Sequence, residues 1–164
     1  MNHSGRYEVE PIGVIRSPFA EPAGTPIQPV YAEGFEGTVE VFEPWRDALA
    51  DLDGFERVWL LYWCDRAVGW QPRVVPYRDD VSRGLFATRA PGRPNPIGLS
   101  CVRLLSVEGS VLRIGEVDIL DGTPLLDIKP YVPAFDSFPN ARSGWFERSD
   151  TTRKTADDRF HRER

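Results

Sequence analysis

The sequence predicts a mainly-β protein, a single-domain antiparallel β-barrel with one or few short helices. Short apolar or alternating segments recur along the chain, with Gly- and Pro-rich turn signals between them. Helical periodicity is almost absent from the intervening segments, so the crossovers that a doubly wound α/β sheet requires are missing. The 164 residues, 41% hydrophobic and 27% charged, suit one ordinary domain with a core it can fill.

Residues 12–17 read as a strand that stops at Pro18. Residues 22–29 read as a loop, because ring-locked prolines at 22, 26 and 29 cannot join a ladder. Residues 37–42 alternate Val39 and Val41 with polar partners and give a second strand. Residues 44–52 carry the one convincing helical pattern, with Pro44 near the first turn, Trp45, Leu49 and Leu52 at helical spacing, and Gly54 as the stop. The continuous apolar run 58–64 reads as a strand buried on both faces, 74–77 as a weaker strand and 84–88 as a further one. Residues 97–107 and 111–119 flank Glu108-Gly109-Ser110 as a short hairpin. The barrel domain is drawn at residues 1–142. From Ser143 the chain is dense in charge of both signs, and 143–164 is expected to be a terminal helix or frayed tail with Trp145 and Phe146 as its last anchors.

Composition narrows the chemistry. The longest apolar run is far short of the roughly 20 residues of a membrane helix and no signal-peptide pattern opens the chain, so a cytoplasmic protein without membrane contact is expected. Cys64 and Cys101 sit among apolar neighbours and read as buried free thiols. His3 and His161 lie near the chain ends, where no rigid shell aims an imidazole, which argues against histidine catalysis. With no Cys-x-x-Cys pair either, no metal site is expected. Neither G-x-G-x-x-G after a strand nor a P-loop motif is present.

The net charge of −5 is unevenly spread. Residues 1–65 hold four basic and twelve acidic side chains, and residues 108–164 hold nine and eleven. Between them, residues 66–107 carry seven arginines, two aspartates and no lysine. An all-arginine cluster suits carboxylate or phosphate recognition, the alternative being a solvated surface stripe.

Three segments carry the chemical signals. GLFATRAPGRPNPIG (84–98) holds Arg93 and Asn95 between prolines in a nearly predetermined backbone, which lowers the entropy lost on binding. DGTPLLDIKPY (121–131) opens on a turn signal and then alternates acid, apolar and base, the plain alternative being a tight turn followed by an edge strand. TPIQP (25–29) is a stiff loop in which Gln28 offers both donor and acceptor.

With PIGVIRSP (11–18), the two longer segments resemble the TrmO family, also called TsaA-like, in the same order over about residues 11–131. The resemblance implies a β-barrel, S-adenosylmethionine-dependent methyltransferase that works as a homodimer with the cofactor near the subunit interface. It also implies an acceptor, the exocyclic nitrogen of threonylcarbamoyl-adenosine beside the tRNA anticodon. Carried over by motif, it places the cofactor against Pro26, Ile27, Gln28, Asp65, Arg66, Arg89, Leu99, Asp121, Gly122, Thr123 and Pro124. Asp127, Tyr131 and Asn95 become the catalytic candidates, and Arg93 and Lys129 the substrate-binding ones. Ile27, Cys64-Asp65-Arg66 and Ala90 depart from the family pattern around these loops. Those departures and the acidic flanks leave two alternatives, a same-fold methyltransferase acting on a small-molecule acceptor and a non-catalytic S-adenosylmethionine-binding module.

Overall fold

Side-chain alternation places one apolar row of each main strand on a shared interior. The computed structural model describes residues 5–160; both histidines lie outside them. The strands are β1 (Gly13–Arg16), β2 (Glu36–Val41), β3 (Arg57–Trp63), β4 (Arg73–Val74), β5 (Arg83–Gly84), β6 (Ile97–Glu108), β7 (Val111–Gly115) and β8 (Thr123–Pro130). Six of them close an antiparallel barrel in the order β1-β2-β7-β6-β3-β8, while β4 and β5 pair separately. Ile15, Val39, Leu60, Val102, Ile114 and Leu125 meet inside it with no solvent exposure. The expected mainly-β barrel is what the chain forms.

Several elements differ from expectation for local reasons. Residues 44–52 wind as two 3-10 segments, Glu43–Leu49 and Leu52–Gly54, instead of an α-helix. Asp51 between them is left-handed at φ 65°; Leu49 is buried in the core, Leu52 packs against it half-buried, and Trp45 stays 38% exposed. So little burial cannot hold three α-turns. The only α-turn among the described residues is α1 (Pro133–Asp136). The 84–88 strand shrinks to β5 and a 3-10 turn, Leu85–Ala87, and the 74–77 strand to β4. β7 stops at Gly115 because Glu116 is left-handed at φ 59°, although Val117 and Ile119 still reach the core.

The run 58–64 is not buried on both faces: Val58 and Leu60 point inward, whereas Trp59, Leu61 and Trp63 form a half-buried outer row. β8 is no edge strand, since closure pairs it with both β1 and β3. Nor does the segment after Ser143 form a long helix or fray within the described residues. It makes two short 3-10 turns, Gly144–Arg148 and Asp158–Phe160. Phe160 is buried against Leu85 and Ala90 with its ring edge-on to Tyr77 at 5.0 Å, and Arg153 pairs with Asp80 and Asp150. An apolar anchor near the end and locally matched charges explain why this stretch docks.

Candidate functional site

Proline stiffness, arginine clamps and the docked C-terminal segment together bring three loops to one mouth of the barrel. In the β1–β2 loop, Thr25 is buried and its hydroxyl donates to the Glu21 carbonyl at 2.8 Å. The C-terminal segment runs antiparallel beside this loop, with Ile27 N–H donating to Lys154 O and Ala156 N–H to Thr25 O. In the second loop, the Arg93 guanidinium donates to the carbonyls of Leu85, Thr88 and Ala90 and lies 5.5 Å from the Phe86 ring centre. At the third, Arg66 donates to Asp121 O at 2.7 Å and lies 3.8 Å from Asp65. Gly122, at φ +77°, supplies the left-handed turn that returns the chain into β8.

These loops enclose a cleft of about 310 Å³. Of the residues expected to bind cofactor, Pro26, Ile27, Gln28, Asp65, Arg66, Arg89, Leu99 and Thr123 line it. Asp121 and Gly122 build the adjoining turn, Asp121 Oδ1 accepting the Ser17 N–H at 3.1 Å, and Pro124 lies in β8 opposite Val14. Arg89 Nη1 donates to Gln28 Oε1 at 2.8 Å and ties the first two loops together across the mouth. Arg93 also lines the cleft, but its donors go to the loop's own carbonyls.

Asn95 is exposed in the loop before β6, and Asp127, Lys129 and Tyr131 do not join the cleft of their own chain. The cause is a bulge. Leu61 stands opposite Asp127 but Tyr62 stands opposite Leu125, so Leu126 is skipped and the inward face of β8 changes from Leu125 to Ile128. Asp127 and Lys129 therefore share the outer face with Leu61 and Trp59, ion-paired at 2.8 Å. Tyr131 packs edge-on to Trp59, centroids 5.8 Å apart.

The arginine-rich middle is largely consumed in holding the protein together. Arg78 is buried, donates to Asp150 O and Tyr31 Oη, and lies over the Phe146 ring. Arg83 pairs with Asp79, and Arg73 donates to Ser82. Arg89, exposed at the cleft mouth, is best placed to meet an anionic ligand group.

Asp118 is the residue that motif reasoning missed. It lies between Val117 and Ile119, both directed to the core, and lines the cleft. Although the residue as a whole is only half-buried, its Oδ1 is shut off from solvent without a hydrogen-bond partner. Burial pushes its carboxyl up to about 7, with the Ser100 hydroxyl and the Arg89 charge holding it back. The Ser100 and Tyr62 hydroxyls are 3.0 Å apart beside it. Burial likewise pushes the Cys64 thiol up to about 12 and the Tyr62 phenol well above its usual range. Both cysteines are free and half-buried. The one available signal for Asp118 was a single acid between two apolar residues in VDI.

The cleft's groups fit S-adenosylmethionine. Arg89 could meet a carboxylate, Pro26, Ile27 and Leu99 could offer apolar contact to a flat ring, and Asp118 Oδ1, which has no partner, could accept from an N–H or O–H donor. Among the described residues no group of His, Cys, Asp or Glu could hold a metal ion, and no helix is long and apolar enough to cross a membrane.

The profile of the tRNA-methyltransferase O N-terminal domain matches residues 14–137. The chain belongs to the TrmO family. A Pyrococcus abyssi relative described as a probable S-adenosyl-L-methionine-binding protein is 54% identical over 139 residues, covering 85% of this chain and 76% of that protein. The Escherichia coli tRNA (adenine(37)-N6)-methyltransferase is 38% identical over 149 residues, covering 85% and 63%. A crystal structure of TrmO from Pseudomonas aeruginosa superposes with a TM-score of 0.75 at 41% identity, covering 88% of this chain and 63% of that one. The chain thus spans less than two thirds of the length of the last two TrmO proteins.

Proposed function

We propose that this chain is an S-adenosylmethionine-dependent N-methyltransferase whose acceptor is the exocyclic nitrogen of threonylcarbamoyl-adenosine beside the tRNA anticodon. The observation that carries the reading is the convergence of the TPIQP loop, the Arg89 loop and the Asp121 turn on one cleft, in a chain of the TrmO family. The name of the E. coli relative supports N6 of tRNA adenine 37 as the acceptor and that of the P. abyssi relative supports the cofactor, while the threonylcarbamoyl group comes from the motif resemblance alone.

When bound, S-adenosylmethionine supplies an electrophilic methyl on a sulfonium, so the protein's share is proximity, orientation and exclusion of water. Arg89 and Gln28, already paired, hold the mouth of the site, and Arg66 fixes the Asp121 turn that forms one wall. Prolines 26 and 91 stiffen the lining loops, so little ordering is left to pay for on binding. Phe86, 80% exposed next to Arg93, offers a stacking face for a base at the rim.

Asn95, Asp127, Lys129 and Tyr131 are assigned to the acceptor side of a homodimer, where the outer face of one chain borders its partner's cleft. Half-exposed Ile97 and Leu99 on that same face support such an interface. The reading also places the protein in the cytoplasm, with its RNA substrate.

Mass spectrometry of nucleosides from threonylcarbamoylated tRNA, incubated with protein and cofactor, tests this function. Gain of one methyl on that nucleoside is the expected result, with RNA affinity falling steeply as salt is added. Unmethylated tRNA at saturating protein refutes it. Ile27 in the cleft wall and the net charge of −5 favour a second reading, a small-molecule acceptor, whose methylation would be insensitive to salt.

A further inference from the structure

We propose that Asp118 is the proton acceptor of methyl transfer, its carboxylate taking the proton from the nitrogen that receives the methyl group. This rests on the methyltransferase reading above and assigns a step which that reading leaves open.

A nitrogen acceptor that starts with an N–H must lose that proton. The bond balance is complete without further reagents: the nitrogen lone pair forms the N–CH₃ bond, and the S–CH₃ bond breaks with its electrons left on sulfur. The N–H proton passes to Asp118, leaving neutral S-adenosylhomocysteine, methylated nitrogen and a protonated carboxyl.

The cleft contains few alternatives. Its other titratable lining groups are Tyr62, Cys64, Asp65, Tyr77 and three arginines, 66, 89 and 93. Tyr62, Cys64 and Tyr77 are all pushed up by burial and keep their protons at neutral pH. Asp65 stands 3.8 Å from Arg66 with its side chain 44% exposed, and arginine does not act as a base. Outside the cleft, Asp127 is ion-paired with Lys129 at 2.8 Å. Asp118 alone combines a desolvated oxygen without a partner and a place in the wall.

Its surroundings tune it. Tyr62 and Ser100, from β3 and β6, face it as neutral hydroxyls, Cys64 as a neutral thiol, and Arg89 as the nearby cation from the loop before β6. A carboxyl held near 7 takes a proton during transfer and returns it to solvent at neutral pH.

Two measurements test this. In the first, carbon-13 carboxyl spectra of the unliganded protein are titrated for wild type and Asp118→Asn. One carboxyl titrating near pH 7 in wild type and missing from the variant is expected, whereas an Asp118 midpoint in the ordinary carboxylate range overturns the proposal. In the second, single-turnover transfer is followed from pH 5 to 9. Wild type should gain rate up to about pH 7 and then level, and Asp118→Asn should lose roughly 10²–10³-fold in kcat together with that rise. Cofactor affinity by calorimetry should change far less, and Asp118→Glu should regain part of the rate. A variant that keeps the acid limb, or whose only loss is cofactor affinity, overturns the proposal. If wild type transfers no methyl to tRNA, the tRNA reading fails instead, and the titration still decides Asp118.

Discussion

Replacing Asp118 by asparagine should make the protein more stable in mild alkali while crippling it chemically. Asparagine keeps the shape of the side chain and removes the ionisable oxygen. In the folded protein the carboxyl is raised from its ordinary value of 3.8 to about 7 by burial, so between these values the folded state binds the proton and the unfolded chain does not. Wild-type stability therefore falls as pH rises through that window and levels above it. Only the interval from pH 5 to the folded-state value counts between pH 5 and 8, and at roughly 1.36 kcal/mol per pH unit wild type loses about 2.5 kcal/mol that the variant keeps. For a chain of this size that is about 5–10 °C in Tm. Urea unfolding of both proteins without cofactor, at pH 5 to 8, reads the difference directly, because every other titrating group is common to the pair. Parallel stability profiles would show that Asp118 is not desolvated in the folded state and would remove the ground for its proton-accepting role.

Other perturbations test the loops and the barrel. Arg89→Ala removes the Arg89–Gln28 bond and the cation at the mouth; loss of a charge-assisted hydrogen bond should weaken cofactor binding roughly 10–100-fold by calorimetry, with Arg89→Lys in between, and unchanged affinity would dissociate this loop from the cofactor. Gly98→Ala drives a Cβ into the Tyr62 ring, so the ring must leave Ser100, and thermal unfolding should show a loss of about 1–3 kcal/mol. An unchanged Tm would mean that the ring moves freely. If the outer-face residues serve the partner's cleft, then at a cofactor concentration that fills wild type but leaves Arg89→Ala almost empty, mixing Arg89→Ala with an inactive Asp127→Asn should restore about a quarter of wild-type transfer, since half the dimers are mixed and each holds one intact site. No recovery on subunit exchange would place both residues in one chain's site.

The barrel was legible because its signals are local. The alternation of Val39 and Val41, the Gly109 hairpin and the proline stop at residue 18 each act within a few residues, and each appears in the structure. What failed depended on burial by distant partners. Trp45, Leu49 and Leu52 have helical spacing, but only Leu49 is fully buried in the core, with Leu52 at its edge and Trp45 exposed, and the winding follows the contacts that exist. The charged end of the chain read as a helix or frayed tail because its anchor, Phe160, has meaning only beside Leu85, Ala90 and Tyr77, 70 or more residues away.

The site divides along the same line. Proline-braced motifs announced the cleft loops, since stiffness is a property of the sequence itself, and eight of the expected cofactor residues do line the cavity. The arginine cluster was read as recognition of an anionic ligand or a solvated stripe, yet Arg66, Arg78 and Arg93 direct donors to backbone carbonyls of the loops, a demand invisible before folding. Periodicity also gave no warning that Leu126 is skipped, and that single residue decides whether Asp127 faces the interior or the outside. Asp118 shows the same dependence from the other side: an ordinary carboxylate in the sequence acquires the proton affinity of a base only because Val117 and Ile119 turn inward around it and its Oδ1 is shut off from solvent. Its chemistry belongs to the packing, which is why no motif contains it and why a stability measurement can detect it without any substrate.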